Sequence, residues 1–127
     1  MSPALLLDTC VLLWLLEGDS RIVDNKDLLI LLNKRERFFS SISIAEIEIK
    51  KSIGKLNIPE NYLDSIRDSS IKEMGFFGVE AKQLGSLPYF HKDPFDRMLI
   101  STAIQHGMTI VTSDTIFCKY PVQVYTI

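Results

Sequence analysis

The residues Ala4-Leu5-Leu6-Leu7 form a short, continuously apolar run that stops at Asp8-Thr9. An uninterrupted apolar run of this length predicts a strand covered on both faces, as strands are in a parallel sheet. A helical pattern follows directly over residues 10–16 and is stopped by Gly18. A buried strand that leads straight into a helix is typical of α/β proteins.

The same alternation of strands and helices continues to the end of the chain. Further strands are predicted over residues 38–42, 71–77, 108–112 and 122–127, and helices over residues 25–35, 44–53, 59–69, 79–86 and 94–106, with a helical turn over 116–119. We therefore expect one α/β domain over residues 1–127, with a mainly parallel five-stranded sheet flanked by helices.

Two of the predicted helices carry clear start signals. Ser43 and Glu46 fit a capping box, with Ser43 as the N-cap. The apolar spacing after Ser43 fits a strand nearly as well as a helix, and the capping box favours the helix. In the second case, Asp93, Pro94 and Asp96 stand where the N-cap, N1 and N3 residues of a helix are expected. Each signal places a carboxylate in the first turn of its helix.

Composition and charge exclude several classes of protein. Hydrophobic residues make up 46% of the 127 residues, charged residues 24%, and the mean hydropathy is +0.14, which excludes a disordered chain. The 14 basic and 16 acidic residues give a net charge of −2. A protein that coats nucleic acid by positive charge alone is therefore excluded. Nucleic acid remains open as a substrate, because an acidic site with bound cations can hold phosphates.

Cysteine use and the N-terminal stretch indicate the compartment. Cys10 and Cys118 are predicted to be buried free thiols, which are typical of a reducing cytosol. The apolar stretch over residues 4–16 is interrupted by Asp8 and Thr9 and is too short to span a bilayer. A basic region of the kind that opens a signal peptide does not precede it. We therefore expect a soluble cytoplasmic protein with no membrane partner.

Four carboxylates recur at equivalent places in this pattern. Asp8 closes the first predicted strand and Asp114 closes the fourth, whereas Glu46 and Asp96 lie in first turns of predicted helices. Strand carboxyl ends and the following helix amino ends share one edge of an open α/β sheet, where ligands bind. We therefore expect the four carboxylates to converge at that edge.

Each of these carboxylates, taken alone, is explained as a helix cap. Four at one edge repel one another, and a proton or a cation must relieve the repulsion. Oxygen ligands of this kind favour Mg²⁺ or Mn²⁺. Such ions activate water and neutralise charge in phosphodiester cleavage.

Four segments that contain these carboxylates share their order and spacing with a known family. They are Leu5-Leu6-Leu7-Asp8-Thr9, Ser43-Ile44-Ala45-Glu46 with Lys50 and Gly54-Lys55-Leu56, His91-Lys92-Asp93-Pro94-Phe95-Asp96-Arg97-Met98-Leu99, and Thr112-Ser113-Asp114. Along essentially its whole length the chain resembles a PIN-domain ribonuclease, and more closely the VapC-type toxins of bacterial toxin–antitoxin pairs. The H-x-D-P-F-D-R stretch is the most specific part of the resemblance.

The resemblance implies both a site and a function. Carried over, Asp8, Glu46, Asp96 and Asp114 are the catalytic acidic quartet that holds Mg²⁺ or Mn²⁺. The implied activity is that of a metal-dependent endoribonuclease, a toxin that cleaves RNA. The implied partners are a second copy in a homodimer and a protein antitoxin that blocks the site. The chain departs from close relatives at Cys10, where they often have His.

Several other polar residues flank the carboxylates. Thr9, Ser43, Thr112 and Ser113 either orient the carboxylates or a water molecule, or form ordinary caps and strand-end hydrogen bonds.

Two basic side chains near the carboxylates each have a functional and a structural interpretation, and two ring side chains have a structural interpretation. Lys50 either reaches a phosphate or forms an ordinary pair with Glu46, four residues earlier on a helix. Arg97 either contacts RNA and braces the carboxylates, or is a surface or packing residue. His91 is expected in a solvent-exposed loop, and Trp14 is expected in the core.

Two alternative functions fit parts of the pattern. A receiver-like signalling domain that binds Mg²⁺ has similar length and an acidic pocket, but it needs an acid pair after the first strand. Here the first strand offers only Asp8, and the predicted strand over residues 38–42 ends in no acid. The second alternative is a non-catalytic interaction module in which every carboxylate is a cap; such a module would bind Mn²⁺ negligibly.

Overall fold

The computed structural model describes residues 3–127, which fold as strands alternating with helices. The strands are β1 (Leu5–Leu7), β2 (Arg37–Ser40), β3 (Lys72–Met74), β4 (Thr109–Thr112) and β5 (Gln123–Thr126). The helices are α1 (Thr9–Glu17), α2 (Ser20–Val23), α3 (Lys26–Lys34), α4 (Ser41–Ser52), α5 (Tyr62–Asp68), α6 (Gly78–Gln83) and α7 (Pro94–His106), with 3₁₀ turns at Leu84–Ser86 and Thr115–Lys119.

The five strands form one parallel sheet in the order β3-β2-β1-β4-β5. The central strand β1 pairs with β2 on one side and with β4 on the other. The parallel five-stranded sheet predicted from the sequence is therefore confirmed. A receiver domain has the order 2-1-3-4-5, so the sheet order contradicts the receiver-like alternative.

The central strand β1 is buried on both faces, as its apolar run predicts. Leu5 and Leu7 point to one face of the sheet, where they pack with residues of α1, α3 and α4. Leu6 points to the other face, into a second cluster built mainly around α7. Side chains of successive strand residues alternate between faces, so three leucines in a row need apolar cover on both sides.

The helix-start signal at residues 93–96 is confirmed. Asp93 is the N-cap of α7, and its Oδ1 accepts hydrogen bonds from the backbone N–H groups of Phe95 at 2.9 Å and Asp96 at 3.2 Å. Pro94 occupies N1, where its missing N–H costs nothing. Gly107 ends the helix in the left-handed conformation at φ 64°, which a glycine adopts without strain.

The predicted capping box at Ser43 is wrong by one turn. Ser40 is the N-cap of α4, and its Oγ accepts a hydrogen bond from the backbone N–H of Ile42 at 3.0 Å. Strand β2 therefore ends at Ser40, and Glu46 lies in the second turn of α4 rather than in the first. The sequence offers serines at 40, 41 and 43, and the local pattern alone does not separate the three positions.

Both cysteines were predicted to be buried, and this prediction is wrong. Cys10 and Cys118 are free and exposed. Cys10 is the second residue of α1 and faces a pocket at the sheet edge, and Cys118 lies in a 3₁₀ turn with its Sγ 3.6 Å from Thr126 Oγ1. Apolar neighbours in sequence do not bury a side chain on the outer face of its helix or turn. Within residues 3–127, no helix has the length and apolar character needed to cross a membrane.

Candidate active site

The candidate site lies at the point where the chain changes direction across the sheet. From β1 the chain proceeds outward through β2 and β3, and it then returns to the other side of β1 to form β4 and β5. A crevice forms at the carboxyl ends of the two strands on either side of such a switch point. Asp8 follows β1 directly and Asp114 lies two residues after β4, so both residues stand at this edge.

The four carboxylates singled out from the sequence line one pocket. The pocket has a volume of about 280 Å³ and is open to solvent on one side. Its lining residues are Asp8, Thr9, Cys10, Trp14, Glu46, Lys50, Asp93, Asp96, Ser113, Asp114 and Phe117. Five carboxylates and one lysine therefore surround a space large enough for a hydrated cation.

Asp8 is the most firmly held of these carboxylates. Its Oδ1 accepts a hydrogen bond from the backbone N–H of Val11 at 2.8 Å, which makes Asp8 the N-cap of α1. Its Oδ2 accepts a 2.5 Å hydrogen bond from the hydroxyl of Thr112, the last residue of β4. Burial raises the pKa of the Asp8 carboxyl above its ordinary value; these hydrogen bonds oppose the rise, and the charges of Glu46 and Asp114 add to it.

Glu46 reaches the pocket from the second turn of α4. It is 7% exposed, and its Oε2 forms an ion pair with Lys50 Nζ at 2.7 Å, one helical turn later. The hydrogen bond to Glu46 raises the pKa of the Lys50 ammonium. The predicted pair of Lys50 with Glu46, four residues earlier, is therefore present. The Lys50 side chain is 45% exposed, and Lys50 is the one lysine among the lining residues.

Asp96 occupies the N3 position of α7, as predicted. Its pKa rises to about 6, because the carboxyl is largely buried and because Asp93, the N-cap three residues earlier, repels its charge. A hydrogen bond from the His91 ring, with Nε2 3.2 Å from Asp96 Oδ2, partly opposes that rise. Within residues 3–127, neither Asp96 nor Glu46 uses its carboxylate to accept a hydrogen bond from a helix N–H group.

Asp114 has a different local role from Asp96 and Glu46. Its Oδ1 accepts a hydrogen bond from the backbone N–H of Ile116 at 3.0 Å and so caps the 3₁₀ turn that follows β4. Its own backbone N–H donates to Thr112 Oγ1 at 3.0 Å. Thr112 therefore links Asp8 and Asp114, because its hydroxyl donates to one and accepts from the other. The cap interpretation holds for Asp8, Asp93 and Asp114, but it does not explain Glu46 or Asp96.

The remaining polar residues named from the sequence fall into two groups. Thr9, which also lines the pocket, donates to Ser43 Oγ at 2.8 Å, a buried contact that joins α1 to α4. Ser113 lines the pocket itself. Trp14 was expected in the core; it is half-buried, packs on the core beside β1 and also lines the pocket.

His91 was predicted to be solvent-exposed, and this prediction is wrong. Its side chain is 18% exposed, and the ring lies between Asp96 and the hydroxyl of Tyr120. The local sequence gives no sign of this contact, since Tyr120 lies 29 residues further along the chain. Asp93 was predicted as the helix cap beside Asp96, and it lines the pocket as well as capping α7.

Comparison with protein families gives a match over most of the chain. Residues 5–123 match the PIN domain. The chain belongs to the PIN domain family. A search of curated proteins gives no match.

Solved structures similar to this PIN domain include several toxin–antitoxin complexes. A chain of VapBC2 from Rickettsia felis, bound to a DNA fragment of its promoter, has 20% identity and a TM-score of 0.75 over 97% of this chain and 98% of that one. A chain of DNA-bound VapBC from Salmonella typhimurium has 18% identity and a TM-score of 0.72 over 98% of both chains. A chain of a toxin–antitoxin complex from Klebsiella pneumoniae has 21% identity and a TM-score of 0.65 over 98% of this chain and 100% of that one. At these identities the similarity establishes the fold.

The donor chemistry of the PIN pocket fits a hard divalent cation. Its charged donors are carboxylate oxygens, and burial, with a further contribution from neighbouring carboxylates, raises the pKa values of Asp8 and Asp96, so a cation in the pocket would favour their charged forms. In residues 3–127, no three His, Cys, Asp or Glu side chains are grouped closely enough to enclose an ion as they stand. Lys50 and His91 instead hold Glu46 and Asp96 by direct contacts.

Proposed function

We propose that this PIN domain is an endoribonuclease that depends on Mg²⁺ or Mn²⁺, with Asp8, Glu46, Asp96 and Asp114 as its metal-binding and catalytic residues. The observation that carries the proposal is the convergence of these four side chains on one pocket at the switch point of the sheet. In a purely structural set each carboxylate would cap a helix or a turn, as Asp8 and Asp114 do, whereas Glu46 and Asp96 face the same space without capping a helix.

Different residues of the chain would have separate roles at such a site. A bound cation would neutralise phosphate charge and activate water for phosphodiester cleavage. Thr112 and the N–H of Val11 fix the two oxygens of Asp8, so this carboxylate presents a constant position to a ligand. Lys50 neutralises Glu46 in the structure, and its ammonium, on a half-exposed flexible stem, is placed to pair with an RNA phosphate at the mouth of the pocket.

We further propose that the protein is the toxin of a toxin–antitoxin pair, with a protein antitoxin as its partner and a homodimer as its working state. The support is the fold shared with chains of VapBC complexes and the match to the PIN domain. Exposed Val23, Ile30, Ile49 and Ile53 supply apolar surface that a protein partner would cover. Because cellular RNA is the proposed substrate, we place the protein in the cytoplasm.

A non-catalytic interaction module is the second candidate, since Asp8, Asp93 and Asp114 all cap helices or turns. The two candidates differ in their response to Mn²⁺. An endoribonuclease of this design gains thermal stability from Mn²⁺, because the ion binds only the native state and relieves the repulsion among the carboxylates. A capping module would melt at the same temperature with Mn²⁺ and with a chelator.

The experiment for the proposed activity is an RNA cleavage assay on wild-type protein and Asp8→Asn. Asn still caps a helix but removes a charged ligand. We expect wild-type protein to cut RNA with Mn²⁺ and to stop with chelator, and the folded variant to be inactive in both. Cleavage by Asp8→Asn at the wild-type rate, with circular dichroism unchanged, would rule out the catalytic assignment. Growth arrest on expression of the wild type, relieved in the variant, tests the toxin role.

A further inference from the structure

We propose that His91 is a positioning residue that fixes the Asp96 carboxylate for cation binding, and that Tyr120 holds His91 in the required orientation and tautomer. The inference rests on the proposed function and adds two residues outside the acidic quartet to its machinery. The geometry that carries it is a continuous chain of contacts. Tyr120 Oη lies 2.7 Å from His91 Nδ1, and His91 Nε2 lies 3.2 Å from Asp96 Oδ2.

The surroundings of Tyr120 determine the direction of these hydrogen bonds. Its hydroxyl oxygen accepts from the backbone N–H groups of Phe90 and His91, each at 3.2 Å, and from Arg97 Nη1 at 3.3 Å. A phenol has one hydrogen to donate. Because three N–H donors already point at the oxygen, its own hydrogen is directed to His91 Nδ1. The neutral imidazole then carries its proton on Nε2, which is the nitrogen that faces Asp96.

The same hydroxyl fixes the position of the loop that carries His91. Tyr120 is 4% exposed, and its ring meets the Phe90 ring edge-on with centroids 5.1 Å apart. Arg97, the residue after Asp96 on α7, donates to the carbonyl oxygen of Pro88 at 2.8 Å as well as to Tyr120. The loop, helix α7 and the turn that precedes β5 are therefore joined at one buried oxygen atom, and His91 has little freedom to turn away.

As a consequence, one of the two carboxylate oxygens of Asp96 is hydrogen-bonded to His91. The His91 ring occupies Oδ2, which leaves Oδ1 as the oxygen to meet a cation in the pocket. Hydrogen bonds from neighbouring groups orient carboxylates that bind metals, and their loss typically costs about 10–100-fold in affinity or activity. Within residues 3–127, His91 supplies the one side-chain hydrogen bond to the Asp96 carboxylate, so its loss would leave that carboxylate without this restraint.

The test measures Mn²⁺ affinity by calorimetry for wild-type protein, His91→Ala, His91→Gln and a matched control, His106→Ala. We expect His91→Ala to weaken Mn²⁺ binding about 10-fold, and His91→Gln to recover most of the loss, because its amide N–H can donate to Asp96. His106 is the other histidine of the chain, at the far end of α7 beside Glu80, and its removal should leave the affinity unchanged. Equal affinities for His91→Ala and wild type, or a Gln variant as weak as the Ala variant, would overturn the proposal.

A second readout needs no metal and separates this inference from the proposed function. Nitrogen chemical shifts of the neutral His91 ring should show the proton on Nε2 in the wild type and a mixture of tautomers in Tyr120→Phe. A proton on Nδ1 in the wild type would overturn the positioning role even if the protein cuts RNA. If the wild type binds no Mn²⁺ and cuts no RNA, the proposed function fails, and the positioning role for a cation fails with it even where the predicted tautomer is found.

Discussion

Replacing Asp96 with Asn should stabilise the metal-free protein at neutral pH, although it removes a proposed metal ligand. In the native state the pKa of Asp96 is about 6, against an ordinary value of 3.8. The native carboxyl therefore binds its proton more tightly than the unfolded one does, and the free energy of unfolding falls as the pH rises from about 4 to about 6. Well above pH 6, where the native carboxyl is fully ionised, this decrease in the free energy of unfolding is complete. Asn removes the charge and keeps an oxygen that accepts the hydrogen bond from His91.

The size of the expected change in the free energy of unfolding follows from the same pKa of Asp96. A rise from 3.8 to about 6 corresponds to about 3 kcal/mol, at about 1.4 kcal/mol for each pKa unit. The Asp96 side chain is 23% exposed, and solvent reduces both the cost of burying its charge and its repulsion by Asp93, so we expect a gain of about 1–2 kcal/mol for Asp96→Asn at pH 7.5. At pH 4 the native carboxyl is already protonated, and the gain should shrink to a few tenths of a kcal/mol.

The assay is urea denaturation with a chelator present, at both pH values, with Asp68→Asn as a matched control. Asp68 is exposed at the end of α5, away from the pocket, and its substitution should change the free energy of unfolding by less than about 0.5 kcal/mol. If Asp96→Asn is no more stable than wild type at pH 7.5, or if its gain is the same at pH 4, burial of the charged carboxyl and its repulsion by Asp93 do not destabilise the native state as argued.

Three further substitutions test separate parts of the structure. Asp93→Asn should retain RNA cleavage and change the free energy of unfolding by less than about 0.5 kcal/mol, because Asn caps a helix as well as Asp; an inactive variant in the cleavage assay would move the site to Asp93. Thr112→Val should destabilise the protein by about 1–3 kcal/mol and weaken Mn²⁺ binding, because Asp8 loses its 2.5 Å hydrogen bond in a buried place; denaturation and calorimetry on the same sample measure both. Ser40→Ala should lower the free energy of unfolding by about 1 kcal/mol in denaturation, since Ser40 caps α4; no change would favour a different start for that helix.

The elements that the sequence predicted well are those whose signals are local. The apolar run before Asp8 predicts β1, because a strand buried on both faces needs no alternation. Asp93 and Pro94 predict the start of α7 to the residue, because each has one preferred place at a helix start. The convergence of the four carboxylates followed from the topology, since carboxyl ends of parallel strands meet at one edge.

The features that the sequence did not predict depend on contacts between distant residues. His91 was expected in solvent because nothing near it indicates a partner, whereas Tyr120 reaches it from the turn before β5. Cys10 was expected in the core because its neighbours are apolar, but it lies on the face of α1 that borders the pocket. The start of α4 was predicted three residues too late, because three nearby serines each satisfy the local requirement for a cap.

The central claim is that the converging carboxylates hold a divalent cation, and a titration of Mn²⁺ followed by electron paramagnetic resonance tests it most directly. The signal of free Mn²⁺ reports the ion that is not bound to wild-type protein, to Asp8→Asn or to Asp68→Asn. We predict that the wild type and Asp68→Asn remove Mn²⁺ from solution with the same affinity, and that folded Asp8→Asn binds it at least about 10-fold more weakly, because a charged oxygen ligand is lost. Equal binding by all three proteins, or no binding by the wild type, would contradict the account.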